Sequence, residues 1–253
     1  MKLKILTIEL KRTLAVIVCM ATVSVAMSFI IRPPAGHLTV SFAHYVGDSV
    51  LHLDSVSYKN ELGQAFTVTK FKYYIGNIRF KKASGGIVAF DEYYLVDEEE
   101  EKTKKINIDI PAGEYTGLDF IVGVDSLHNC SGVQSGALDP VNAMFWAWNT
   151  GYIFLKLEGR SPASKSPGNM FEYHIGGYKQ PANCIRHISL NFTQPVSIEN
   201  ATGRELSIKV NAAEVLRTPA AIDFTTLSSV TDFHNAATIA DNYADMFSVK
   251  DTR

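Results

Sequence analysis

The seven histidines of this chain are its clearest candidates for chemistry, because imidazole is the commonest metal ligand in proteins and suits copper or zinc. His44 lies near the end of the alternating stretch HLTVSFAHYV. It alternates in step with Leu38, Val40 and Phe42, which predicts that its side chain points inward. His174 lies in FEYHIGGY, where two glycines let another backbone come close. A single histidine on a strand is more often a packed or surface residue than a ligand, so the pattern alone leaves both roles open.

Both tryptophans, Trp146 and Trp148, lie in one short segment, MFWAWNTGYIFLKLEG. Alternate positions of an extended segment face the same way, so the two indoles belong on one side. Aromatic side chains also dominate protein cores, which alone is reason enough to keep both. An unmodified indole offers only an N–H donor and is not a metal ligand.

Other catalytic and metal-binding patterns receive little support. The motifs G-x-S-x-G and H-E-x-x-H, the phosphate-binding loop and the dinucleotide fingerprint are missing, and nothing singles out a pair of catalytic acids. Cys184 and His187 have a C-x-x-H spacing, but no methionine follows in that loop as a blue-copper site would require. The formal charge of −2 and the lack of a basic stripe argue against nucleic acid as a partner.

The N-terminus has the form of an export signal. Basic residues in 1–13 precede an uncharged run from Leu14 to Ile31, which predicts a signal peptide cleaved after Ala26 or a membrane anchor within 1–32. Membrane contact is expected through this segment alone. Because an exported chain meets an oxidising compartment, Cys130 and Cys184 are predicted to form a disulfide.

The remaining chain, 37–253, shows many short β-branched and aromatic runs separated by turn signals. This pattern predicts an all-β domain, an antiparallel sandwich or barrel, of which we favour a sandwich of Greek-key type. Residues 125–150 predict a long ordered loop, and residues 231–247 a short amphipathic C-terminal helix. The charge run DEEEEKTKK at 97–105 predicts a solvated turn.

Several of these stretches together resemble the MbnP-like family of exported copper-binding proteins, which is named for a member found beside methanobactin genes. The resemblance covers most of the chain and runs through LTVSFAHYVGD, FKYYIGNIRF, PAGEYTGLDFIVGVDS, MFWAWNTGYIF and HIGGY, in that order.

The resemblance implies a periplasmic or cell-surface sandwich that binds copper, expected as Cu(I), and is not an enzyme. In the family a tryptophan is oxidised to kynurenine, whose amine and carbonyl join histidines around the metal, and a dihaem peroxidase-like partner is implied as the oxidant. The matching positions here are His44 and His174 as metal ligands, with Trp146 or Trp148 as the modified residue. His128 lies near another histidine position of the family, with an uncertain alignment.

Two further functions are compatible with the sequence. An envelope binding or scaffolding module would keep the fold without any metal and would use the 125–150 loop as its contact surface. A carbohydrate-active sandwich would need an acid pair that the sequence does not single out.

Overall fold

The computed structural model describes residues 35–146, 151–231 and 235–252. The predicted signal or anchor segment lies outside these residues. Within them, no helix is both long and apolar enough to cross a membrane.

Strands make up most of the described chain, as the sequence pattern predicts. In chain order they are β1 (Ala35–Val46), β2 (Ser49–Val50), β3 (Tyr58–Lys59), β4 (Ala65–Lys82), β5 (Ile87–Asp97), β6 (Lys105–Pro111), β7 (Gly113–Val122), β8 (Phe145–Trp146), β9 (Gly151–Tyr152), β10 (Leu155–Arg160), β11 (Met170–Ile175), β12 (Arg186–Ile198), β13 (Gly203–Asn211), β14 (Ser229–Val230) and β15 (Phe247–Thr252). The helices are α1 (Ser126–Cys130) and α2 (Ala236–Tyr243), with short 3-10 turns at Glu101–Lys104, Gly136–Leu138, Pro140–Asn142, Pro167–Asn169 and Ala212–Leu216.

The strands form two main sheets that pack face to face, which confirms the predicted all-β sandwich. Sheet 1 has the order β15-β13-β1, and both β2 and β6 pair with β1. Sheet 2 has the order β12-β7-β4-β10-β11-β14, and β3 and β5 also pair with β4. Strands β8 and β9 form a separate small hairpin. The sandwich is not wholly antiparallel, because β1 pairs with β13, and β11 with β14, in parallel.

Strand β4 runs through the middle of sheet 2 and organises it. Phe71 and Tyr73 point into the sandwich, whereas Lys72 and Tyr74 leave the opposite, outer face. The register shifts between Gly76 and Ile78, where Asn77 adopts a left-handed φ of 52°. Such a bulge lets so long a strand keep its apolar residues in the core.

Aromatic rings join the two sheets. Tyr73 of sheet 2 makes edge-on contacts with Phe42 and Phe247 of sheet 1, at ring centroid distances of 6.4 and 5.7 Å. Phe247 in turn meets Phe120 of β7 at 5.0 Å. These contacts bury large apolar surfaces in the middle of the sandwich, where burial contributes most to stability.

The predicted C-terminal helix is shorter than its sequence pattern indicates. Helix α2 ends at Tyr243, and Phe247 begins strand β15 instead of continuing the helical face. The side chain of the buried Asn242 donates to the carbonyls of Val215 and Ala220, which ties the helix to the segment after β13. Strand pairing with β13 outweighs the local helical periodicity beyond residue 243.

The predicted disulfide is not borne out, because Cys130 and Cys184 are both free thiols. Cys130 is exposed and its Sγ lies 3.3 Å from the Tyr178 hydroxyl. Cys184 is fully buried, and burial raises the pKa of its thiol to about 12. The presence of two cysteines outside the predicted signal segment cannot indicate whether their side chains point toward each other.

Gly159 provides a test of how closely the strands of sheet 2 pack. A Cβ atom there would lie 2.0 Å from the Thr67 carbonyl oxygen and 2.4 Å from the Phe171 ring. We expect Gly159→Ala to lower the free energy of unfolding by about 1–3 kcal/mol, because backbone cannot yield to the added methyl. Gly203→Ala is the matched control, since its Cβ would meet nothing within 4 Å. Equal unfolding midpoints in urea for the two variants would contradict the prediction.

Candidate functional site

His174 lies on the outer face of sheet 2. It alternates with the buried residues Tyr173 and Ile175, so its side chain leaves the sheet away from the sandwich interior. On the neighbouring strand Lys156 is its direct partner, and Lys72 of β4 is the next residue in the same row. The outer face therefore carries a polar row at this level of the sheet.

A carboxylate holds the His174 ring in place. Nε2 of His174 donates to Oε1 of Glu158 at 2.8 Å, and the two side chains are 19% and 18% exposed. This hydrogen bond lowers the pKa of Glu158 and outweighs the opposing effect of burial, so the carboxylate is ionised at neutral pH. With Nε2 acting as the donor, Nδ1 keeps its lone pair for an electrophile. Metal-binding histidines are commonly oriented by a carboxylate in this way.

Lys156 fastens the long loop to this face. Its Nζ donates to the Ala143 carbonyl at 2.7 Å and lies 3.9 Å from Oε1 of Glu158. Burial lowers the pKa of this ammonium group. The segment that leads into Trp146 is therefore fixed above the strand next to His174.

Trp146 covers Gly176, two residues after His174. Trp146 is 5% exposed, and a Cβ atom on Gly176 would lie 2.8 Å from its indole ring. Gly176 directly follows the last residue of β11, Ile175, so Trp146 packs beside the end of the strand that carries His174. The missing side chain at Gly176 gives the indole room to lie there.

Met144 adds a soft donor atom to the same segment. It is fully buried and lies two residues before Trp146, so both side chains leave the extended backbone on one side. The backbone amide of Ile153 donates to the Met144 carbonyl, which continues the β8–β9 ladder. Trp148, the other predicted partner, lies outside the described residues.

His44 lies on the inner side of sheet 2 and does not meet His174. Its ring makes edge-on contacts with Phe71 and Tyr73 at 5.0 and 5.6 Å, both on the interior face of β4. Because Leu157 and Tyr173 share that interior face while His174 leaves the other, the sheet itself separates the two histidines. The structure therefore does not bring together His44 and His174, the two metal ligands that the family resemblance implies.

Both ring nitrogens of His44 are already engaged. Nδ1 lies 2.6 Å from Oε2 of Glu98, and Nε2 lies 2.9 Å from the hydroxyl of Tyr73. Burial lowers the pKa of His44 despite the nearby carboxylate. The charge run at 97–105, which the sequence predicts to be a solvated turn, is only partly exposed to solvent. The Glu98 side chain is 12% exposed and reaches into the sandwich.

His128 stands over a different part of the outer face. Its ring packs edge-on against Tyr93 of β5 at 4.7 Å, and Nδ1 lies 3.0 Å from Oδ1 of Asp125. Strand β5 is separated from β11 by β4 and β10, so its contact with Tyr93 places His128 over a different strand from His174. His128 therefore belongs to a separate cluster.

The described residues contain no group of three or more His, Cys, Asp and Glu side chains that could hold a metal ion. Sequence inspection missed Glu158 and Lys156, although both lie in the quoted stretch that begins at Met144. Alternation along LKLEG places them on the face opposite Leu155 and Leu157, which is the signal that would have found them.

Comparisons with known proteins support the fold and the family. The family model described as MbnP matches residues 35–235. The solved structure titled "MbnP from Methylosinus trichosporium" is similar with a TM-score of 0.52 and 16% sequence identity, over 76% of this chain and 80% of that chain. The comparison with curated proteins gives no match.

A substitution at Gly176 tests whether the space left by its missing side chain positions the indole of Trp146. We expect Gly176→Ala to displace Trp146 and shift its fluorescence to the red, because a Cβ would also lie 2.4 Å from the Tyr152 carbonyl oxygen. The measurement uses a Trp148→Phe background, so that Trp146 is the sole emitter. Gly203→Ala in the same background should leave the emission unchanged, and an unchanged spectrum for Gly176→Ala would contradict the prediction.

Proposed function

The chain belongs to the MbnP family, and from this premise we propose that it is an exported copper-binding protein that takes up Cu(I) at His174 beside Trp146. It holds and delivers the ion and is not an enzyme. The observation that carries the proposal is the arrangement at the end of β11, where Glu158 of β10 orients the imidazole of His174 and Gly176, two residues further along the chain, makes room for the indole of Trp146.

The donor atoms at this face suit a soft ion but are few. His174 supplies one imidazole, and Met144, on the same segment as Trp146, supplies a thioether. Imidazole and thioether are ligands that Cu(I) accepts, whereas Ca²⁺ or Mg²⁺ would need several oxygen donors. The described residues contain no group of three His, Cys, Asp or Glu side chains that could hold a metal ion, and under this proposal a modified side chain supplies a further donor.

Oxidation of Trp146 to kynurenine would provide that donor. Cleavage of the indole C2–C3 bond adds oxygen to both carbons, and hydrolysis then releases formate and leaves an aryl amine and a ketone. The oxygen and the oxidising equivalents come from peroxide, activated by a dihaem peroxidase-like partner. Both new groups would form on the side chain that packs on Gly176, two residues after His174.

The copper site is tested by competition for Cu(I) between the exported protein and a chromophoric chelator. We expect His174→Ala to weaken Cu(I) binding by more than about 10-fold, and Glu158→Gln by roughly 10-fold, because its carboxylate orients the ring. His187→Ala removes an exposed histidine of β12 and should leave the affinity unchanged. Equal affinities in all variants would favour the metal-free scaffolding module instead.

The modification is tested by peptide mass mapping of protein exported by its native host. We expect the 144–156 region to carry the mass gain of kynurenine over tryptophan at position 146. Trp148→Phe should retain the modification and Trp146→Phe should lose it, since Trp146 is the indole that packs on Gly176, two residues after His174. Modification of position 148 alone would refute this assignment while leaving the copper proposal open to the binding test.

A further inference from the structure

We propose that Tyr73, His44 and Glu98 form a proton-coupled redox relay inside the sandwich, in which Tyr73 is a reversible one-electron donor. The Tyr73 hydroxyl lies 2.9 Å from Nε2 of His44, and Nδ1 of His44 lies 2.6 Å from Oε2 of Glu98. Nζ of Lys104 completes the chain at 3.1 Å from the same carboxylate oxygen. This inference does not depend on the proposed copper site, which lies on the other face of sheet 2.

The protons in this chain have one consistent arrangement. Hydrogen bonds and charges from His44 and Lys104 outweigh burial and lower the pKa of Glu98, so its carboxylate accepts the Nδ1 proton of His44. Nε2 of the neutral ring is then an acceptor, and the Tyr73 hydroxyl must donate to it. Burial raises the pKa of Tyr73 well above its usual range, which keeps the phenol protonated until it is oxidised.

Tyr73 differs from other buried tyrosines of the sandwich in its hydrogen-bond partner. Tyr115 donates to the carbonyl of Pro111, and Tyr173 donates to the carbonyl of Leu227. A carbonyl satisfies a buried hydroxyl but cannot take its proton. Tyr73 instead donates to a titratable base that is backed by a carboxylate, an arrangement that simple satisfaction of the hydroxyl does not require.

The two ends of the relay have different surroundings, apolar rings around Tyr73 and polar groups around Glu98. The rings around Tyr73 include Phe42, Phe71 and Phe247, which are much harder to oxidise than a phenol. At the other end of the relay, a cavity of about 310 Å³ is lined by His44, Glu98 and Lys104. A radical on Tyr73 is therefore shielded, while the proton moves toward the polar end.

The step balances as follows. A one-electron oxidant, of the class of a high-valent metal complex, takes an electron from Tyr73. The phenolic O–H bond breaks, an N–H bond forms at Nε2 of His44, and the resulting imidazolium is stabilised by the Glu98 carboxylate. Re-reduction by a small one-electron reductant, of the class of ascorbate, returns the electron to the tyrosyl oxygen, and Nε2 of His44 returns the proton.

Flash oxidation of the purified chain by photogenerated tris(bipyridine)ruthenium(III) tests the relay, with transient absorption and electron paramagnetic resonance as readouts. We expect a fast phase of neutral tyrosyl radical formation with a solvent deuterium isotope effect. Tyr73→Phe should abolish this phase, and His44→Gln should slow it at least about 10-fold, because glutamine cannot act as a base. Tyr173→Phe, which removes a buried phenol bonded to a carbonyl, should leave the fast phase intact.

Glu98→Gln provides a second route to the answer if Tyr73→Phe does not fold, since it leaves both Tyr73 and His44 in place. It should slow radical formation, and circular dichroism checks that every variant is folded. The relay is refuted if Tyr73→Phe keeps the fast phase, or if His44→Gln and Glu98→Gln both form the radical at the wild-type rate.

Discussion

The alternation of side chains along β4 and its neighbours is the constraint on which the rest of this structure depends. Successive residues leave a strand on opposite faces, so Tyr73 enters the sandwich while Lys72 faces outward. The same rule, carried across the register of β10 and β11, places His174 outside and its neighbour Tyr173 inside. One sheet thus separates two polar systems. The inner one lies among aromatic rings, with both imidazole nitrogens of His44 hydrogen-bonded, and the outer one centres on the hydrogen bond between His174 and Glu158.

Close backbone approach determines what covers the outer face. At Gly176 a side chain is absent and Trp146 occupies its place, and at Gly76 the ring of Tyr93 does the same. Lys156 then holds the Ala143 carbonyl, which fixes the loop with a buried hydrogen bond. Gly176, Trp146 and Lys156 together allow the long loop before Trp146 to pack against the outer face of sheet 2. The cost of burying the polar groups of that loop is offset because its backbone finds partners in the sheet and in short helical turns.

The sequence predicts the local features of this molecule well and its long-range pairings poorly. The strands β1, β4 to β7 and β10 to β13, and the inward orientation of His44, follow from patterns within single segments. Whether His44 and His174 meet depends instead on which face of sheet 2 packs against sheet 1, and that follows from the pairing of strands far apart in the chain. The prediction of a disulfide between Cys130 and Cys184 was wrong for the same reason, since the sequence shows how many cysteines there are but not where their side chains point. Glu98 was missed because a charge run gives no sign that one of its carboxylates reaches a buried histidine.

Burial of Trp146 limits how an oxidant can act on it. At 5% exposure the indole cannot lie against a haem in a partner protein unless the covering loop opens, and the Lys156 hydrogen bond opposes that opening. Removal of electrons, in contrast, needs no contact, because it proceeds through the protein while peroxide or water enters as a small molecule. Under the proposed function this orders the events. The chain folds with an intact indole packed on Gly176, oxidation follows at a distance, and copper binds last, when the ring-opened side chain joins His174.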